Sequence, residues 1–68
     1  MSRAVEIIAK NYVDLRDRMG LERMREHRNK LLQSYRTIAA QGSFNVESIE
    51  RSLHEDLDAL NEALSRVQ

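Results

Sequence analysis

The chain contains no cysteine, no proline and no tryptophan, and only two glycines among its 68 residues. Without cysteine there is no disulfide scaffold, no thiolate metal site and no cysteine nucleophile. The scarcity of glycine, with no Asn-Gly or Asp-Gly pair, leaves no tight β-hairpin turns to be made. Aromatic residues are limited to Tyr12, Tyr35 and Phe44. A surplus of one charge is also missing, since 11 Lys and Arg balance 11 Asp and Glu. The molecule as a whole therefore has no general attraction to nucleic acid or an anionic membrane. Its longest apolar runs are two or three residues, against the roughly 20 that span a bilayer. The opening MSRAVEIIAK has no apolar signal core, so a cytoplasmic protein without membrane contact is expected.

What is present is charge, 32% of the residues, interleaved with Leu, Ile, Val and Met at helical spacing. The fold class is all-α, as one domain over 1–68. A core this small supplies about 3–5 kcal/mol without a staple. With disulfides excluded, the expected staple is self-association into a dimer or larger oligomer.

Gly42 follows a helical stretch ending at Ala39-Ala40-Gln41 and suits the left-handed position that closes a helix. Asn45 is the expected N-cap of the next helix, with Phe44 and Ile49 as a hydrophobic staple across its start. A helix over about 46–67 then carries Val46, Ile49, Leu53, Leu57, Leu60, Leu64 and Val67 on one stripe. Before the turn, Leu21, Met24, Leu31, Tyr35 and Ile38 form a matching stripe with Arg28 as its polar intruder. The two segments predict an antiparallel helical hairpin.

The N-terminal segment has its own series, Val5, Ile8, Tyr12, Leu15 and Met19, with Ser2 as a candidate cap. Projected onto one helix, the apolar direction turns by roughly 150° between Met19 and Leu21. The favoured architecture is one long first helix over about 3–41, straight or kinked at Gly20, about 57 Å long. It would assemble with a second copy into a dimeric, coiled-coil-like helical bundle. The alternative is a compact three-helix bundle. No N-cap is evident at Leu21-Glu22-Arg23, and no loop residues stand there to reverse the chain. In the long-helix architecture Val5, Ile8, Tyr12, Leu15 and Met19 face no part of the hairpin and are the expected self-association face.

The neutral total conceals a dipole. Residues 1–40 hold nine basic and five acidic residues, net +4, and residues 41–68 hold two and six, net −4. Pairing of basic with acidic flanks across an antiparallel hairpin accounts for most of this. The functional reading makes Arg16, Arg18, Arg23, Arg25, Arg28 and Lys30 a partner-binding surface for an acidic protein or nucleic-acid phosphates. Asp17, Glu22 and Glu26 among them weigh against nucleic acid.

His54 stands between Glu50 and Asp58 at one-turn spacing, which reads as a solvated face rather than a metal or acid–base site. There is no HExxH or Glu-x-x-His motif and no phosphate-cradling glycine loop, and no serine has an evident base. No catalytic, cofactor or metal site and no small-molecule substrate is expected, and the protein is read as not an enzyme.

Three small families share features with the chain. His54-Glu55-Asp56-Leu57-Asp58-Ala59-Leu60 resembles the Ser-Gln-Glu-Leu-Asp signature of small aspartyl-phosphate phosphatases that act on a sporulation response regulator. Leu57 and Asp58 match outright and Asp56 stands in place of Glu, so the resemblance implies Asp58 as the residue acting on a phosphorylated regulator. The helix before Gly42 is longer than in that family. Ile49, Ser52-Leu53-His54-Glu55, Asp58 and Leu60 are similar to the second helix of the Rop-type RNA-loop binders, dimeric four-helix bundles whose RNA face lies on the first helix. The hairpin around Gln41-Gly42-Ser43 resembles small co-chaperones of type III secretion needle subunits. Each covers under half the chain.

The leading expectation is thus a small non-enzymatic adaptor, regulator or co-chaperone that self-associates and binds a partner protein. The alternatives are an aspartyl-phosphate phosphatase and an RNA- or DNA-binding dimeric four-helix bundle.

Overall fold

A computed structural model describes residues 2–42 and 45–67, apart from the side chain of Ser2. Those residues form three helices, α1 (Ser2–Asp14), α2 (Arg18–Ala40) and α3 (Glu47–Arg66), and no strand. The long continuous first helix is not formed. The described residues extend 42 Å at most, shorter than the about 57 Å that a helix over 3–41 would need. The compact three-helix arrangement is the one observed.

The break falls at Leu15-Arg16-Asp17, upstream of Gly20. The Asp17 N–H donates to the Tyr12 carbonyl at 2.8 Å and the Arg16 N–H to the Val13 carbonyl at 3.0 Å. This pair of bonds is a Schellman closure, with Arg16 at φ 55° in the left-handed position that glycine usually takes. Asp17 at once starts the next helix, for its carboxylate accepts from the Gly20 N–H at 2.9 Å. One residue thus ends α1 and caps α2, so no separate loop is required. Gly20 lies inside α2. A β-carbon there would stand 2.7 Å from both the Tyr12 ring and the Asp17 carboxylate. Its glycine serves a close approach of α2 to α1.

At the other end Gly42 has φ 78° and its N–H donates to the Ala39 carbonyl at 2.9 Å, as expected of a helix-closing glycine. The N-cap of α3 is Val46, without a side-chain cap bond, rather than the expected Asn45, which lies one residue earlier and whose Oδ1 accepts from the Glu47 N–H at 3.0 Å. The Phe44–Ile49 staple and the Ser2 cap fall outside what the structure describes.

Both other helices pack against α3. Val5 and Ala9 of α1 and Leu21 of α2 cluster with Leu60, Ala63 and Leu64, and Leu21 and Leu60 are completely buried. A second cluster joins Leu32 to Leu53 and Leu57, with Leu31 and Tyr35 at its edge. Each fully buried leucine contributes about 1.5–3 kcal/mol relative to exposure. The α3 stripe is buried along most of its length, with Ile49 left partly exposed at the hairpin end.

Candidate interaction surface

The N-terminal series divides between core and surface. Val5 is buried and Tyr12 packs against the core, so neither is free to meet another chain. Ile8 and Leu15 remain 42% and 76% exposed, Met19 62%, and Ile7, outside the series, 59%. The buried direction of α1 is rotated by roughly 60° from the expected stripe, towards Ala9 and Val13. Ala9 sets this direction, because alanine lets α1 come close to α3 beside the equally small Ala63. The larger isoleucines are left on the outer edge.

The basic residues of the expected partner surface also separate. Arg18 is bonded to Glu22 at 2.9 Å and Lys30 to Glu26 at 3.4 Å, both exposed pairs one helical turn apart. Such pairs contribute about 0.3–0.5 kcal/mol each. Arg25 donates to Asn61 Oδ1 across the hairpin at 3.1 Å. Arg28 reaches the buried carboxylate of Asp56 at 3.4 Å, so it belongs to the α2–α3 contact rather than to a free surface. The Asp56 Oδ1 has no hydrogen-bond partner. Arg16 holds the turn in its left-handed conformation, its side chain exposed. Arg23 is exposed and makes no ion pair among the described residues.

Arg23 borders an open groove of about 560 Å³ between the end of α1 and the first turns of α2. Tyr12, Met19, Gly20 and Met24 form its apolar part, and His27 stands one turn beyond Arg23. Arg28 Nη1 lies 2.7 Å from His27 Nδ1. A guanidinium can only donate, so His27 Nδ1 accepts and the ring proton resides on Nε2. The Asp17 carboxylate, also at this groove, is committed to the α2 cap.

His54 lies 3.5 Å from Arg36 across the hairpin, and no group of three or more His, Asp or Glu among the described residues is placed to hold a metal. Asp58 is exposed on α3, next to the buried Leu57. No helix among the described residues is long and apolar enough to cross a membrane. Compared with family models, curated proteins and solved structures, the chain finds no match.

Proposed function

We propose that the chain is a small, non-enzymatic helical interaction protein that self-associates and binds a partner protein in the cytoplasm. One observation carries this reading. Ile7 and Ile8 of α1, Leu15 of the turn after it and Met19 at the start of α2 are 59%, 42%, 76% and 62% exposed, whereas the leucines of α3 are buried. Large apolar side chains left in water on consecutive elements suit an interface. The self-association face is accordingly Ile7, Ile8 and Leu15, with Val5 supporting it from within the core, while Met19 and Tyr12 line the groove between α1 and α2.

The test is sedimentation of an Ile8→Glu, Leu15→Glu double variant beside the parent. Both positions are exposed, so helicity by circular dichroism should be retained while the sedimenting mass falls. An unchanged mass would remove this face from the interface.

A further inference from the structure

We infer that the groove between α1 and α2 is a docking site for an acidic amphipathic helix of a partner protein. This deepens the proposed function and rests on its partner-binding half. The groove combines an adaptable apolar floor with hydrogen-bond donors on one side. Met19 and Met24 supply flexible thioether side chains, which adjust to irregular apolar partners, and Tyr12 adds an aromatic ring to the same lining. Gly20 keeps the floor low, where any larger residue would press on Tyr12.

The donors define the chemistry of the partner. On α2 the neighbouring charges are already engaged, Arg18 with Glu22, Glu26 with Lys30 and Arg28 with Asp56. Arg23 is left with its guanidinium unspent among the described residues, and His27 presents Nε2–H because Arg28 occupies Nδ1. Four residues apart, these two donors are offset by about 6 Å along the helix axis. Carboxylates at i and i+4 of a partner helix have the same spacing, with an apolar stripe beside them to meet the methionines.

A second copy of this chain does not supply that combination. Its acidic helix, α3, exposes only one large apolar residue, Ile49, at the far hairpin end. A phosphate backbone brings no apolar side chains to meet Tyr12, Met19 and Met24, so the apolar floor favours a peptide helix over it.

The experiment uses the full chain and fluorescence anisotropy. The probes are a labelled synthetic peptide with a leucine stripe flanked by glutamates at i,i+4, its counterpart with lysines, and a single-stranded RNA. The glutamate peptide should bind at least about tenfold tighter than the lysine peptide, and added salt should weaken it. Arg23→Glu, at an exposed position, should abolish or invert the preference without changing helicity. Equal affinity for the two peptides, a preference indifferent to Arg23→Glu, or RNA that binds more tightly than the glutamate peptide would overturn the assignment. The self-association test reads mass in Ile8 and Leu15 variants, whereas this one reads peptide affinity in Arg23 variants. Either can fail while the other stands.

Discussion

Gly20 and Tyr12 are in such close contact that a β-carbon at position 20 would lie 2.7 Å from the Tyr12 ring. The contact locks the first turn of α2 onto the last turns of α1 just beyond a connection of three residues. It also explains why this first turn retains glycine, a poorer helix former than alanine.

Gly20→Ala should therefore destabilise the protein despite its better helix propensity. Overpacking costs about 1–3 kcal/mol, partly offset by a propensity gain of at most about 1 kcal/mol. In a Tyr12→Ala background the ring is gone and only the Asp17 carboxylate still crowds the β-carbon, so the same substitution should cost less. Urea denaturation of the four-member cycle measures the coupling, expected at about 1 kcal/mol or more. Additive effects would mean that Tyr12 does not restrain position 20.

Adjacent residues in the turn should respond in opposite directions. Arg16 holds a left-handed conformation that costs a side-chain-bearing residue about 1–2 kcal/mol. Arg16→Gly should raise stability by about 0.5–1 kcal/mol. Asp17→Ala removes the carboxylate that accepts from the Gly20 N–H and should lower stability by about 1 kcal/mol, with Asp17→Asn retaining most of it. Thermal unfolding of the three variants decides the matter, and a destabilised Arg16→Gly would contradict the turn geometry.

Particular residues show what was legible in the sequence. Gly42 announced the hairpin end because its backbone position prefers glycine, whereas the cap expected at Asn45 falls one residue later, on Val46. The α3 stripe was legible because leucines recur along one face. The turn at 15–17 was not, since arginine occupies the glycine position and one aspartate serves two helices. The true face of α1 was hidden because its direction is set by Ala9, a residue that carries little weight in a hydrophobic pattern. Asp56 reads as a flank of the stripe yet is buried, because Arg28, the polar intruder opposite, requires a counter-charge. Of the expected partner residues, Arg23 was legible only as one arginine among several; its distinction is that it is unpaired among the described residues and also borders the groove, which Arg16 does not.

The Arg28–Asp56 pair should be asymmetric to mutation. Arg28→Met leaves the Asp56 carboxylate buried with neither oxygen paired, a loss in the range of about 3–5 kcal/mol. Asp56→Leu leaves Arg28 partly exposed and still donating to His27, and should cost about 1 kcal/mol or less. The combined Arg28→Met, Asp56→Leu variant should be near neutral or more stable than the parent, as when a buried ion pair is replaced by apolar side chains. Equal costs for the two single variants, measured by urea unfolding, would argue that the carboxylate is not confined as described.

Two substitutions on α1 distinguish its core face from its outer edge. Val5 lies in the cluster with Leu21 and Leu60, whereas Ile7, two residues on, is mostly exposed. Val5→Ala removes two buried methyl groups and should cost about 2 kcal/mol once the residual cavity is included. Ile7→Ala removes a larger side chain but should change monomer stability by no more than about 0.5 kcal/mol. The comparison requires protein dilute enough to exclude association, since an interface covering Ile7 would add its own concentration-dependent stability. A dilute-solution cost for Ile7→Ala equal to that of Val5→Ala would place the buried face of α1 on the opposite side. It would also restore the expected stripe in place of the one centred on Ala9.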